Sequence, residues 1–354
     1  MQTSHLVLIG NFGAGNFGDE LILAGFLKRL SLGEFQAGVG FLADNKGGKQ
    51  VQAQKITVLT ANSTVSRRFH GNLDFRPQLP TGWRSFWRLG WLRSLRVFAR
   101  ASAIIFPGGG LFTDLESWRA IFIWGLPVLV ARILRKPVYF YGQSVGPFRG
   151  ALARNLTRRI CALVELIEVR ERKSLEELRR LEVPKQKFWL GRDSALYLRA
   201  KKKSLKRRQF AQAQTRIAKV LFALRSFPRL PLNFWSELGM GLKFLAARKV
   251  QIYFTEFGQG DRAVFRGLLW NQRLKIRPTF WALPQNPERL IRELGQFDLV
   301  VGMRLHALIA ASLASVPSLG FAYAPKIRGC ADKVFPIEDF QAQEFKNWIL
   351  QTSR

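Results

Sequence analysis

Short apolar runs alternate along the chain with segments in which apolar residues recur at helical spacing. The runs that predict β-strands lie at 5–10, 101–110, 136–146, 166–171, 216–227, 250–258, 297–302 and 316–323, with one more strand ending near Asn45. Helical spacing predicts α-helices at 20–30, 120–134, from about Ala151 onward, 173–183 and 304–314. Strands made of continuous apolar runs are typical of parallel sheets that are buried on both faces.

This alternation predicts an α/β protein of two Rossmann-like, doubly wound domains that face one another across a cleft. At 354 residues the chain exceeds the size at which a single core usually stops growing. The stretch at 199–209 carries seven Lys or Arg and almost no apolar residue, which predicts a solvated linker. We therefore place an N-terminal domain at 1–198, the basic linker at 199–209, a C-terminal domain at 210–330, and at 331–354 a helical tail that can return to the N-terminal domain.

The composition adds a strong positive charge. The chain has 56 Lys and Arg against 24 Asp and Glu, a formal net charge of +32, which favours polyanionic partners or anionic lipid. Cys161 and Cys330 lie far apart without metal-ligand spacing, so we expect neither a disulfide framework nor a zinc cluster. The N-terminal stretch lacks the features of a secretory leader, and no apolar run reaches the ~18 residues that a membrane span needs. We expect a cytoplasmic protein that is soluble or peripheral at a membrane.

Residues 13–18 spell G-x-G-x-x-G between a predicted strand and a predicted helix, which is the dinucleotide-binding pattern. Binding of NAD also needs an acidic residue about 20 positions further on, and the nearest candidate, Asp44, lies beyond that distance. Asp19 and Glu20 follow on the first helical turn, where they would repel a pyrophosphate. The alternative is a tight strand-to-helix turn in which both carboxylates complement the helix dipole. Asn16 in the same loop is a candidate for substrate binding.

Two further predicted strands end in glycine-rich polar loops. Gly108, Gly109 and Gly110 end one apolar strand and allow a ligand to approach the main chain closely. Gln143 closes the next strand between two glycines. Because ligands of open parallel sheets bind beyond the carboxyl ends of the strands, we expect these loops to meet the first glycine loop at one edge of the sheet.

A late strand that ends at Gly302 is followed by Arg304, Leu305 and His306 at the start of a helix of small apolar residues. A guanidinium there offers a planar fork to carboxylate or phosphate, and the exposed backbone N–H groups add to the attraction for an anion. The imidazole of His306 can deliver a proton to a substrate that the arginine holds. An isolated histidine at a helix start is more often structural. We favour a functional role for His306 because Arg304 lies beside it.

Three other strand-end residues are weaker candidates for the same site. Arg225 closes an apolar strand of the second half, although an arginine in that position is often simply solvated. Asp193 follows another strand and can instead cap the next helix. Lys326 follows the last predicted strand.

Eight segments then occur together in one order: GNFGAGNFGDELIL, FPGGGLF, GQSVGPF, VRERKSLEEL, RDSALYL, ALRSF, GMRLHALIAA and YAPKIRG. In order and spacing they resemble the polysaccharide pyruvyltransferase family, which includes CsaB-type proteins, from about residue 6 to about residue 335. The resemblance implies a GT-B-like pair of Rossmann-type domains, with the acceptor on the N-terminal domain and phosphoenolpyruvate on the C-terminal domain. It also implies transfer of pyruvate from phosphoenolpyruvate to a sugar as a cyclic ketal, which argues against NAD.

The family's residues carry over to positions of this chain. Its R-L-H motif falls on Arg304, Leu305 and His306, which would hold phosphoenolpyruvate and protonate it. Its strand-end arginine falls on Arg225, as a second clamp on the anion, and Lys326 ends the segment Y-A-P-K. We expect no metal ion and no cofactor. The expected partners are phosphoenolpyruvate, as the donor substrate, and a glycan acceptor that is lipid-linked at the inner face of the membrane.

The chain departs from the family pattern at two loops. Relatives usually have serine where this chain has Leu111 and Y-D-P-K where Ala324 stands, so the polar roles of these loops change. The implied reaction also needs a carboxylate that deprotonates the acceptor. Asp19, Glu20 and Asp193 are all candidates for that base.

Residues 83–100 alternate aromatic and basic side chains, with Trp87, Trp91, Leu95 and Phe98 on one stripe of a predicted helix. Such a helix can lie in a membrane interface with its arginines on anionic lipid, or it can pack its stripe on the core of the first domain. Two other functions stay open: a GT-B glycosyltransferase that uses a nucleotide sugar, and a basic membrane- or nucleic-acid-binding protein without turnover. We expect no specific nucleic acid, because the basic residues are spread along the chain without a recognition motif.

Overall fold

The protein consists of two compact units, Met1–Tyr197 and Leu198–Arg354. A computed structural model describes residues 5–34, 55–71, 73–80, 90–115, 117–198, 217–227, 230–231, 233–324, 327 and 329–352. The boundary between the units falls next to the end of the predicted N-terminal domain. The predicted basic linker and the strand predicted near Asn45 lie outside the described residues.

The first unit is built on an eight-stranded sheet in which every neighbouring pair is parallel. Its strands are β1 (His5–Ile9), β2 (Lys55–Thr60), β3 (Asp74–Pro77), β4 (Ala103–Phe106), β5 (Gly109–Phe112), β6 (Val138–Val145), β7 (Leu166–Val169) and β8 (Phe188–Leu190). The helices are α1 (Phe17–Leu32), α2 (Ser63–His70), α3 (Trp91–Arg100), α4 (Arg119–Ile133), α5 (Ala151–Ala162) and α6 (Arg172–Arg180). The strand order is β3-β2-β1-β4-β6-β7-β8, with β5 paired to β6 off this path.

The continuous apolar runs of the central strands are explained by burial of both faces of the sheet. Successive side chains of a strand point to opposite faces. Leu6 and Leu8 of β1 accordingly pack in one hydrophobic cluster, while Val7 and Ile9 pack in another. Each face of the sheet therefore has its own core, as expected for a parallel sheet between two layers of helices.

The second unit is built on a six-stranded parallel sheet in the order β11-β10-β9-β12-β13-β14. Its strands are β9 (Lys219–Ala223), β10 (Gln251–Phe254), β11 (Thr279–Phe280), β12 (Leu299–Gly302), β13 (Ser318–Ala322) and β14 (Lys333–Pro336). Its helices are α7 (Phe234–Ala247), α8 (Asp261–Asn271), α9 (Pro287–Leu294), α10 (Leu305–Leu313) and α11 (Ala342–Thr352). Both units thus have the doubly wound, Rossmann-like topology that the sequence predicts.

The C-terminal segment belongs to the second unit. β14 pairs with β13, and α11 packs against α7. The predicted tail at 331–354 therefore contributes a strand and a helix to the C-terminal unit, instead of returning to the N-terminal one. The physical reason is apolar burial, because Phe345 and Ile349 of α11 lie in the core of this unit.

The helix predicted at 83–100 is described from Gly90 onward, and α3 begins at Trp91. Phe98 is buried in the core of the first unit, and Leu95 packs against that core. Leu95 and Phe98 of the predicted stripe therefore pack on the core of the first unit. Trp87 lies outside the described residues.

Candidate functional site

The second unit brings three predicted site residues to one edge of its sheet. The strand order reverses between β9 and β12, which is where doubly wound sheets bind ligands beyond the carboxyl ends of the strands. Arg225 follows the end of β9, and Arg304 and His306 follow the end of β12. The topology therefore places two guanidinium groups and an imidazole at the same switch point.

A buried carboxylate, Asp261 at the start of α8, holds Arg304. The Nε atom of Arg304 donates to Asp261 Oδ2 at 2.9 Å, and Nη2 donates to Oδ1 at 2.5 Å. Asp261 Oδ2 also accepts the backbone N–H of Gly258 at 2.9 Å. The guanidinium of Arg304, which the sequence analysis assigns to the substrate, is thus bound to Asp261 through Nε and Nη2. Its Nη1 atom takes no part in these two hydrogen bonds.

Gly258 lets the guanidinium of Arg304 lie directly against the main chain. A Cβ atom at this position would stand 2.2 Å from Arg304 Nη2 and 2.7 Å from its guanidinium carbon. Heavy atoms do not approach so closely, so any side chain at position 258 would displace the arginine. Gly258 and Asp261 together fix where Arg304 points.

Burial raises the pKa of Asp261 above the ordinary value of an aspartate. The hydrogen bonds and charge of Arg304, the Gly258 N–H and the charge of Arg225 act in the opposite direction. Two arginines therefore act on one carboxylate. A guanidinium is planar and permanently charged, which suits both arginines to binding carboxylate or phosphate.

Arg225 is positioned by an aromatic residue that follows β13. Its Nη1 donates to Tyr323 Oη at 3.0 Å, and its guanidinium carbon lies 5.2 Å from the centre of the Tyr323 ring. The same ring packs on Phe227, with 4.7 Å between the ring centres. The next predicted site residue of this segment, Lys326, lies outside the described residues.

His306 lies half-buried in the first turn of α10, two residues after Arg304. The first turn of a helix has backbone N–H groups without helical partners, and its dipole favours negative charge. Leu305, the first residue of the helix, has a buried side chain. An anion at this helix end can therefore contact Leu305 only through its main chain.

In the first unit, the glycine loop is bonded to its own helix. Glu20 Oε1 accepts the N–H of Gly13 at 2.7 Å, and Glu20 Oε2 lies 2.8 Å from Nε2 of His70 on α2. Gly13 has a φ of +72°, and a Cβ there would stand 2.2 Å from Thr60 Oγ1. The Gly13 amide is therefore engaged by Glu20 and closely packed, which favours the strand-to-helix turn over a pyrophosphate site.

Asp19 and Asn16 contact each other within the same loop. Asp19 Oδ2 accepts from Nδ2 of Asn11 and from Nδ2 of Asn16, both at 2.9 Å. The side-chain oxygen of Asn16 accepts the N–H of Gly18 at 3.2 Å and caps α1. These contacts give both residues a defined role in holding the loop.

The triple glycine and Gln143 lie partly or wholly within strands. Gly109 and Gly110 begin the short strand β5, and Gly108 and Gly109 have φ values of +144° and +111°. A Cβ at Gly110 would meet no atom within 4 Å, so this backbone is open to a ligand. Gln143 lies inside β6 and is fully buried, with Nε2 donating to the carbonyl of Phe106 at 3.4 Å. Gln143 therefore lies within the strand that the sequence predicts at 136–146, and not in a loop beyond it.

Asp193 forms a buried ion pair with Arg170. Oδ2 of Asp193 lies 2.5 Å from Arg170 Nη1, and Oδ1 accepts the N–H of Ala195 at 2.9 Å. Arg170 in turn donates from Nε to Ser144 Oγ at 2.8 Å. Asp193 thus caps the following turn and connects it to β6.

Four residues of these sites were not predicted as such from the sequence: Gly258, Asp261, Tyr323 and His70. The segment G-Q-G-D at 258–261 follows an apolar strand and precedes a helix, as G-D-E does at 18–20. That repeated pattern of glycine followed by an acidic first turn is the signal that could have indicated Asp261. No local pattern marks Tyr323 or His70.

Comparison with known proteins supports the relationship that the motifs indicate. The family model described as polysaccharide pyruvyl transferase matches residues 16–325. The chain is 26% identical over 211 residues to the amylovoran biosynthesis protein AmsJ of Erwinia amylovora. This match covers 55% of the chain and 49% of AmsJ, so it spans about half the length of that relative.

Solved structures with the same fold include sugar-nucleotide complexes. Anabaena HepE in complex with UDP and glucose has a TM-score of 0.59 at 13% identity, covering 99% of this chain and 92% of HepE. UDP-GlcNAc 2-epimerase from Neisseria meningitidis, bound to UDP-GlcNAc, has a TM-score of 0.61 at 12% identity, covering 99% of this chain and 94% of the epimerase. At such low identity the likeness shows the fold alone, which is the two-domain, GT-B-like pair of Rossmann-type units.

The family model spans most of the chain, from the end of the glycine loop of the first unit to beyond the Arg304–His306 segment of the second. The arginines and the histidine that the motifs single out lie at one switch point of the second unit. The chain belongs to the polysaccharide pyruvyl transferase family.

Proposed function

We propose that the protein transfers pyruvate from phosphoenolpyruvate to two hydroxyls of one sugar in a cell-surface polysaccharide or its lipid-linked precursor. The products are a cyclic ketal and inorganic phosphate. The observation that carries the proposal is the pairing of Arg225 and Arg304 around one buried carboxylate, Asp261, beside His306. This arrangement offers a fixed positive charge and a proton donor at the same edge.

The charge of this edge suits the two anionic groups of phosphoenolpyruvate. Arg304 is fixed by Asp261 and Gly258, so little of its side-chain freedom is lost when the donor binds. Arg225 and the first N–H groups of α10 supply further donors. We assign the carboxylate and phosphate of phosphoenolpyruvate to these groups.

His306 is the general acid of the proposed reaction. Its imidazolium proton goes to C3 of phosphoenolpyruvate, which becomes a methyl group and leaves a cationic C2. One sugar hydroxyl adds to C2, the bond from C2 to the phosphate oxygen breaks, and the second hydroxyl forms the other C2–O bond. One hydroxyl proton returns to the imidazole through a base and the other leaves with phosphate or solvent, so the enzyme ends as it began.

The proposal leaves the base that deprotonates the acceptor open among three carboxylates, Asp19, Glu20 and Asp193. All three accept hydrogen bonds from groups of the first unit. The arginines of the second unit take the charge of the leaving phosphate, and we propose no metal ion or cofactor for this step.

The test is phosphate release from phosphoenolpyruvate with a panel of lipid-linked glycans, run in D₂O. The expected product has one deuterium in the ketal methyl group, and His306→Gln lowers the rate by about 10²-fold or more. His5→Gln is the matched control, since this histidine lies on β1 of the other unit. Phosphate release that His306→Gln leaves unchanged would show that the assigned general acid is wrong.

Thermal unfolding separates this function from the alternatives. A ligand that binds the folded state alone raises its stability, so phosphoenolpyruvate should raise the unfolding temperature while nucleotide sugars and NAD should not. Stabilisation by a nucleotide sugar and not by phosphoenolpyruvate would favour a glycosyltransferase instead.

A further inference from the structure

Helix α4 of the first unit carries an apolar stripe on its exposed face. In the described part of the chain nine large apolar side chains are exposed, and four of them lie on α4 or on the residue before it. These four are Trp118, Phe122, Leu129 and Ile133. At 100° per residue they fall within a narrow sector of one face, and we call them the α4 stripe.

The α4 stripe is distinct from the face of the helix that packs in the core. The other side of the same helix packs Ile121, Trp124 and Val128 into the hydrophobic core of the first unit. Trp118 is 59% exposed and Ile133 is 79% exposed. Trp118 and Phe122 pack edge to face, with 5.6 Å between their ring centres, so the exposed aromatic pair has a defined geometry.

Basic residues outnumber carboxylates around the α4 stripe. Between residues 117 and 136 the four charged residues are all Arg or Lys, whereas Asp114 before the stripe accepts the N–H groups of Arg149 and Gly150. Helix α5 packs against α4, and its charged residues are three arginines, of which Arg158 pairs with Glu182. It also exposes Leu152 in its first turn. An apolar stripe in a mainly basic surround is typical of a helix that lies in a membrane interface.

We propose that the α4 stripe docks the protein on the surface of an anionic lipid bilayer. Trp118, Phe122, Leu129 and Ile133 would enter the boundary between headgroups and acyl chains, and the arginines of α4 and α5 would contact lipid phosphates. The described residues contain no helix long and apolar enough to cross a membrane. Docking is therefore at the surface.

Charge complementarity selects the bilayer over a second copy of the chain. Two copies that joined through their α4 stripes would bring arginines of one copy against arginines of the other. Juxtaposed like charges oppose association, and the charged residues on α4 and α5 themselves are all arginines. An anionic lipid surface satisfies both the apolar side chains and the arginines.

Co-sedimentation with vesicles tests this proposal without any substrate, so its outcome is independent of the proposed function. The protein should bind vesicles of phosphatidylcholine mixed with phosphatidylglycerol and bind phosphatidylcholine alone much more weakly. Added salt should reduce the binding. The variant Phe122→Ser/Ile133→Ser should lower the partition coefficient by about tenfold or more. Its thermal unfolding should stay unchanged, because both side chains are exposed.

Trp270→Ser is the matched control, because Trp270 on α8 is 84% exposed and lies apart from the α4 stripe. It should bind mixed vesicles as the wild type does. Absence of binding to mixed vesicles, or wild-type binding by Phe122→Ser/Ile133→Ser, would overturn the proposal. So would a dimer in sedimentation velocity that this double variant dissociates, because the stripe would then be an interface between copies.

Discussion

Substitution of Gly258 by alanine should displace the side chain of Arg304 without destabilising the fold. A Cβ at position 258 would stand 2.2 Å from Arg304 Nη2, so the guanidinium must withdraw by about 1 Å to reach ordinary van der Waals contact. A misplacement of about 1 Å at a reacting group can cost about 10²-fold in rate, or about 3 kcal/mol of transition-state stabilisation. We therefore expect Gly258→Ala to lower kcat/KM for phosphoenolpyruvate by about that factor.

The same substitution should leave the free energy of unfolding within about 1 kcal/mol of the wild type. The atoms that must move form the far end of a flexible side chain, and Gly258 does not have a positive φ. Gly267→Ala is the matched control, since a Cβ at Gly267 on α8 would meet no atom within 4 Å. It should leave kcat/KM unchanged.

Phosphate-release kinetics and thermal unfolding of the two variants provide the measurements. Wild-type kcat/KM in Gly258→Ala would refute the assigned role of Arg304, because the arginine would have moved without consequence. An equal loss in Gly267→Ala would show that the effect is not specific to the contact with Arg304.

Two further predictions concern stability. Burial, with a smaller contribution from the charge of Lys55, lowers the pKa of His5 below the ordinary histidine value of 6.5. The unfolded chain therefore binds this proton more strongly than the folded one. The free energy of unfolding should be unaffected by this group above pH 6.5 and should fall as the pH drops through the lowered pKa. Denaturant unfolding at several pH values measures this dependence, and the His5→Gln variant should lack the fall. Glu20→Ala should lower the free energy of unfolding by about 3 kcal/mol, because it breaks a buried pair with His70. Glu176 is exposed, so the control variant Glu176→Ala should change the free energy of unfolding by less than about 0.5 kcal/mol. Equal effects of the two glutamate variants in urea unfolding would contradict the structural role of Glu20.

The central strands of both sheets were predictable because a local sequence pattern marks them. β1, β4 and β12 are continuous apolar runs, and such runs must be buried on both faces. The two outer strands on one side of the first sheet gave no comparable signal: β2 mixes Lys and Thr with apolar residues, and the edge strand β3 is the four residues Asp74–Pro77. Their places depend on pairing of β2 with β1 and of β3 with β2, which the local pattern does not encode.

The strand predicted at 136–146 is confirmed in β6, although it contains a glycine in the left-handed region. Gly142 has a φ of +56°, and the pairing of β6 with β7 shifts register between Phe140 and Gln143. Irregular pairing of this kind lets a strand continue past such a glycine. Gln143 is therefore buried inside the strand, which the local pattern of a polar residue between two glycines does not indicate.

The candidate site was predictable where a local sequence pattern marks its residues. Arg304 and His306 lie on one strand-to-helix turn, so local chemistry indicated them. Asp261 is 43 positions from Arg304, and their contact depends on the order of strands β10, β9 and β12 in the sheet. Tyr323 meets Arg225 across 98 positions for the same reason.

Calorimetric titration of phosphoenolpyruvate tests the central claim most directly, namely that the arginines at the switch point of the second unit bind this donor. The wild type should bind one phosphoenolpyruvate, and Arg225→Gln should weaken the affinity by about 10- to 100-fold, the loss of charge-assisted hydrogen bonds to an anion. UDP-glucose should not compete. Unchanged affinity in Arg225→Gln, or displacement of phosphoenolpyruvate by UDP-glucose, would contradict the claim.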